Sequence, residues 1–172
     1  MLKEVDILLL LKLSEVEGPR VPSRKLAGDL FLSENDVAQS LKRCHASGLL
    51  YRTDAEKRVN RAALFELLAH GFRYLFPVKM GSMTRGVPTS IAAEPLKSLF
   101  ADTGEPPPVW PYMDGKVRGI SLTPLHKRVP EAALRDPKLY ELLALVDAVR
   151  GPKIRERKIA TEELAKRLVP NG

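Results

Sequence analysis

The stretch Leu26-Ala27-Gly28-Asp29-Leu30-Phe31-Leu32-Ser33-Glu34-Asn35-Asp36-Val37, continued by Leu41-Lys42-Arg43 and Gly48-Leu49-Leu50, decides the fold of the N-terminal third of this chain. Leu26, Ala27 and Leu30 fall on one face of a short helix, because positions i, i+1 and i+4 cluster at helical period. Leu32 closes a turn, and Ser33 is an N-cap for a second helix. Asp36 stands three residues on, where a capping box takes its partner, although Glu or Gln is preferred there. Val37, Leu41 and Cys44 recur at i, i+4 and i+7 and make a narrow apolar seam. Asn35, Gln39, Lys42 and Arg43 leave the rest of that helix polar.

A polar helix face of this composition suits a DNA major groove. Asn and Gln pair bidentately with adenine, Arg and Lys reach guanine edges or phosphates, and such contacts favour the N-terminal part of a recognition helix, here Ser33 onward. Solvation of an amphipathic helix accounts for any one of these residues; the set within its frame favours DNA. Gly48 ends the helix. Leu49-Leu50-Tyr51-Arg52 has strand composition, and Thr53-Asp54-Ala55-Glu56-Lys57 is a polar connection to Arg58-Val59-Asn60. Two short strands with basic residues near the tip form a wing, from which Arg52, Lys57 and Arg58 would follow phosphates or enter a minor groove. Asp54 and Glu56 oppose that role, since a carboxylate near DNA repels phosphate.

In the order helix, helix, recognition helix, wing, the chain resembles the winged-helix transcriptional regulators of the MarR-like type. The residues that carry the resemblance are Leu26-Ala27, Leu30, Leu32-Ser33, Val37, Leu41-Lys42-Arg43 and Gly48-Leu49-Leu50, within about residues 3 to 60. It implies a winged helix-turn-helix domain that binds double-stranded DNA. Fold alone does not settle function, because winged helices also bind proteins.

Val5-Asp6-Ile7-Leu8-Leu9-Leu10-Leu11-Lys12-Leu13 is too short an apolar run to span a bilayer and follows Glu4; it reads as the first helix of this domain, in a cytoplasmic protein. From Asn60, which caps a further helix, Leu64, Leu68, Phe72 and Leu75, with Phe65 and Phe76 beside them, form a stripe that runs through Gly71 to Pro77. Such a stripe must be covered. MarR-like regulators form their dimer interface from helices outside the winged core, so the resemblance implies a homodimer that prefers an approximately palindromic site. Packing against the C-terminal half of the same chain buries the stripe equally well.

The expected fold class is mainly α with a small β wing: a winged helix-turn-helix domain over 1–60, a connecting or dimerisation helix over 61–76, and a Pro-rich segment with a helical C-terminal region over 77–172. Twelve of the 14 prolines lie from Pro77 onward, and five glycines punctuate residues 77 to 130. Val117-Arg118-Gly119-Ile120-Ser121-Leu122 is the best strand candidate there. Arg85-Gly86-Val87-Pro88-Thr89-Ser90 is either a partner or ligand loop, with Arg85 meeting an anion and Thr89 beside it, or a turn set by Gly86 and Pro88. Pro106-Pro107-Pro108-Val109-Trp110-Pro111 reads as a rigid connector anchored by Trp110 rather than as a polyproline ligand. Asp136 and Pro137 cap and open a helix carrying Leu139, Leu142, Leu143, Val146 and Val149. Gly151-Pro152 breaks it, and a last helix from Ile154 to Leu168 carries Arg155, Arg157, Lys158, Lys166 and Arg167 as a solvated face or a secondary anionic contact.

The net charge of +7 is compatible with an anionic partner. Residues 1–76 carry only +2 of it and residues 77–172 carry +5, so recognition by the N-terminal helices would depend on local placement. A single cysteine, Cys44, excludes an internal disulfide, and His45, His70 and His126 show no metal-ligand spacing. Neither a phosphate-binding glycine loop nor a nucleophile elbow is present, and no cofactor or catalytic residue is expected. Two functions from different classes follow. One is a sequence-specific DNA-binding repressor that acts as a homodimer by occupying a promoter. The other is an antitoxin-like protein whose residues 77–172 hold a partner protein and which represses its own operon.

Overall fold

A computed structural model describes residues 1–16, 21–53 and 56–170 of the chain. Three helices, α1 (Glu4–Glu15), α2 (Ser23–Leu30) and α3 (Glu34–Ala46), are followed by a hairpin of β1 (Leu50–Arg52) and β2 (Lys57–Val59). The hairpin is antiparallel, with Tyr51 opposite Arg58. Ser33 caps α3 as its identity predicts: its Oγ accepts from the Asp36 backbone N at 3.0 Å and donates to Asp36 Oδ2 at 2.7 Å. Val37, Leu41 and Cys44 are fully buried. Burial pushes the Cys44 thiol up to about 12, which makes it an inert core group.

Ile7 through Leu11 are all fully buried, so α1 is covered on every side rather than along one stripe. The reason is its position. One side packs on α2, α3 and β2, and another on α7 (Pro137–Val149) from the far end of the chain. Asp6 lies in the same apolar run. Its carboxylate accepts from Ser40 Oγ at 2.6 Å, from Arg43 Nε and Nη2 at 2.9 and 2.8 Å, and from the Lys3 backbone N at 2.8 Å. Buried charge is tolerated only when paired and hydrogen-bonded, and here the pairing fixes α1 to α3.

Asn60 caps the next helix through Ala63 N, and the helix continues as α4 (Arg61–Glu66), a wider π turn (Leu67–Gly71) and α5 (Phe72–Leu75). Leu64, Leu68 and Phe72 are buried within the chain, against α8 (Ile154–Leu168), α7 and the Arg150 guanidinium, which lies over the Phe72 ring. The stripe expected as a dimer contact is therefore an intrachain joint at these three positions. Phe76 is half-buried against the core, and Leu75 is exposed.

Residues 77–130 depart most from expectation. Against one expected strand they hold three, β3 (Met80–Pro88), β4 (Pro108–Pro111) and β5 (Val117–Leu122), which form a closed barrel. β3 pairs antiparallel with both others, and β4 and β5 close the ring in parallel. The class is accordingly α/β. Two glycines permit closure. A Cβ on Gly86 would lie 1.9 Å from the Trp110 carbonyl oxygen, and one on Gly119 would lie 2.0 Å from that of Pro107. β5 coincides with the predicted strand, whereas the polyproline connector is in fact β4, with Trp110 buried as its anchor.

The barrel rests on α7 through a second buried carboxylate. Asp147 Oδ2 accepts from Thr89 Oγ1 and Trp110 Nε1, each at 2.7 Å, and Oδ1 accepts from Arg150 Nη2 at 2.9 Å. Arg150 goes on to donate to the carbonyls of Phe76 and Thr123, each at 3.2 Å. Burial holds the Asp147 pKa above the usual carboxylate range, against the pull of Arg150, Thr89 and Trp110. Thr89 is thus a buried structural donor and not a loop contact. Arg85 is exposed on β3, opposite Arg118 of β5.

A third polar cluster joins the two ends of the chain. Lys12 of α1 hydrogen-bonds Asp136, the N-cap of α7, and lies 3.9 Å from both Glu15 and Asp29. Glu15 is pushed up to about 8, first by burial and then by the neighbouring Asp136 carboxylate, and its Oε1 has no hydrogen-bond partner. Beside it, Arg135 of α6 (Val129–Arg135) stacks over the Phe31 ring at 4.7 Å.

Candidate nucleic-acid interface

The outer face of α3 follows from its cap and its seam. With Ser33 fixing the start and Val37, Leu41 and Cys44 turned inward, Asn35, Gln39 and Lys42 fall at i, i+4 and i+7 on the opposite side. All three are exposed and have no hydrogen-bond or ion-pair partner among the described residues. Arg43, expected in this set, is a correction. One position beyond Lys42 it turns toward α1, and its Nε and Nη2 are spent on Asp6. The sequence signal for this was an acidic residue, Asp6, inside an apolar run; only packing pairs it with an arginine 37 residues on.

The hairpin presents Arg52 and Arg58 to solvent, with Arg58 5.2 Å from the Tyr51 ring centroid and 3.9 Å from Glu56. Lys57 differs from its expected role. Its ammonium donates to the Val21 carbonyl at 2.9 Å and ties β2 to the start of α2, and burial together with Arg52 lowers its pKa. Asp54, counted against a DNA contact, lies outside the described residues.

Two contributions were not read from the sequence. Arg24 is exposed and without a partner on α2, in the element that Lys57 draws to the hairpin. The Asp36 pKa is lowered chiefly by the Ser33 hydroxyl, with a lesser pull from His126 of the segment before α6, whose own pKa is lowered by burial. Lys127 and Arg128 follow it, both exposed, and Arg128 is shared with Glu131 at 3.0 Å. These basic groups stand near the acidic start of α3, where Glu34 and Asp36 weaken attraction for phosphate. Nothing local in the sequence links His126 to Asp36, because ninety residues of chain fold between them.

Of the basic residues of α8, Lys158 is exposed without a partner among the described residues, Arg155 lies 5.7 Å from the Phe100 ring centroid, and the others are held within the chain. Arg157 donates to the Gly151 and Pro152 carbonyls, and Arg167 and Lys166 pair with Glu163. Among the described residues no group of three or more His, Cys, Asp and Glu is placed to hold a metal ion, and no helix is long and apolar enough to cross a membrane. No protein-family model, curated protein or solved structure matches the chain.

Proposed function

We propose that the protein is a sequence-specific DNA-binding transcriptional regulator of winged-helix type, a repressor that acts as a homodimer by occupying its site. The observation that carries this reading is the unpartnered, exposed stripe of Asn35, Gln39 and Lys42 on a helix whose other face is sealed in the core. Asn35 and Gln39 read base edges in the major groove. Lys42, Arg52, Arg58, Arg24 and Lys127 contact phosphates, and Arg43 holds α3 in place. Leu64, Leu68 and Phe72 are used within each copy, so the contact between copies lies elsewhere.

The test is selection of a genomic fragment library on the purified protein. Asn35→Ala and Gln39→Ala should each reduce preference for the selected site over a scrambled one by about 10-fold or more, with non-specific affinity retained. Arg52→Ala and Arg58→Ala should instead weaken binding to every sequence and lower the salt slope by about 1 each. Retention of no fragment at low salt would overturn the reading.

The antitoxin-like alternative draws on one feature. Met83 and Met113 are exposed on and beside the barrel, and flexible methionines suit a partner surface. A stoichiometric protein that copurifies with the full chain and is lost with Met83→Glu plus Met113→Glu would favour it.

A further inference from the structure

Between the barrel and the corner of α7 and α8 lies a cavity of about 790 Å³, the size of a small-molecule site. Its walls are apolar: Val117 and Ile120 of β5, Pro107 ahead of β4, and Ile91 and Phe100 of the segment that crosses from β3 to β4. Asp147 forms part of the floor, but both its oxygens are occupied by Arg150, Thr89 and Trp110, so it offers an occupant no free charge. At the mouth, Lys153 is taken by Glu105 at 3.2 Å and Glu156 at 3.8 Å, and Lys97 and Asp102 are both exposed to solvent. An ionic group brought inside would lose its hydration with nothing to replace it.

One polar group in the wall is unspent. Ser90 is only 7% exposed, borders the cavity and has no hydrogen bond from its hydroxyl among the described residues. It is not among the sealed, partnerless atoms, so the hydroxyl opens onto accessible space. Its backbone sits at φ 55°, a left-handed conformation unusual for serine and one that tends to mark binding sites. We propose that this cavity binds a neutral, largely hydrocarbon small molecule bearing one hydrogen-bonding group, which Ser90 Oγ engages. A hydroxyl both donates and accepts, so an alcohol, a carbonyl or an amine N–H meets it equally well. The inference stands apart from DNA binding and needs no DNA to test.

Phenylnaphthylamine is a neutral probe of this chemistry, and anilinonaphthalene sulfonate is the same skeleton with an added anion. Titrated into the full chain, the neutral probe should bind at one site per chain and light up by energy transfer from Trp110, the only tryptophan, whose indole bonds the cavity floor. The sulfonate should bind at least about tenfold more weakly. Ile120→Trp combined with Val117→Phe, which project two rings from the β5 wall into the cavity, should weaken binding at least about fivefold under direct excitation of the probe; Val117→Phe alone serves if the double variant does not fold. Ser90→Ala should weaken the neutral probe several-fold with an unchanged thermal midpoint. The proposal is overturned if the neutral probe fails to saturate, if its affinity is unchanged in a folded β5 wall variant, if the sulfonate binds equally well, or if Ser90→Ala changes nothing.

Discussion

The N-terminal helices and the α7 support of the barrel each contain one buried aspartate paired with an arginine, and the pairs do different work. Asp6 fixes two neighbouring helices, and its partner Arg43 keeps 22% of its side chain exposed. Asp147 and Arg150 are both 2% exposed and collect the end of β3, β4, the end of α5 and the segment after β5 onto α7. The first pair pins elements that already have local reasons to form. The second organises short strands that, as isolated pieces, would not hold together.

The glycines sharpen this contrast most. Gly119→Ala places a methyl group on a backbone carbonyl that cannot move without opening the barrel, and it should cost more than about 4 kcal/mol or abolish folding. Gly28→Ala in α2 meets nothing within 4 Å and should stabilise by about 0.5 to 1 kcal/mol. Thermal denaturation followed by circular dichroism compares the two; equal effects would break the distinction. Next in size are the aspartates. Asp147→Ala strands a buried arginine and should cost about 3 to 5 kcal/mol, whereas Asp6→Ala leaves Arg43 a route to water and should cost about half as much. Denaturant titration of both variants checks the ratio, and a larger loss from Asp6 would reverse it.

An effect seen only at high pH concerns the joint between the two regions. The folded pKa of Glu15, about 8, lies above its ordinary value of 4.5. Its contribution to stability is therefore full below pH 4.5 and declines as pH rises to 8, where ionisation sets it against burial and Asp136, with Lys12 and Lys138 as the nearby cations. Glu15→Gln should remove that decline. Its thermal midpoint should exceed that of the unsubstituted chain at pH 9 and match it at pH 4. A parallel pH profile in the two proteins would show that Glu15 does not titrate in the joint.

How far each region could be read in advance follows the same division. α1, α2, α3, the hairpin, α7 and α8 were legible because caps and apolar spacing act over a few residues: Ser33, Asn60 and Asp136 cap where their identities predict. Within the candidate interface the stripe of Asn35, Gln39 and Lys42 was legible for that reason too. The inward turn of Arg43, the capture of Lys57 by Val21 and the approach of His126 to Asp36 were not, since each depends on a partner at least 36 residues away. In the barrel β5 was legible from its strand composition, but in β3 and β4 the usual signals pointed the wrong way. Gly86 and Pro88, read as a turn, sit inside β3, because glycine is needed for close strand approach and proline is accommodated where no ladder donor is required.

The sequence by itself determined where the helices begin and end, which faces of α2 and α3 are apolar, and that Trp110 is an anchor, because short-range sterics, capping and hydrophobic period act without knowledge of the rest of the chain. Only the tertiary structure decided that the stripe of Leu64, Leu68 and Phe72 closes on its own chain, and that Thr89 and Trp110 meet at Asp147. It alone shaped the cavity that Ser90 lines. These outcomes rest on contacts between residues far apart in sequence, where burial and charge pairing, and not local propensity, set the lowest free energy.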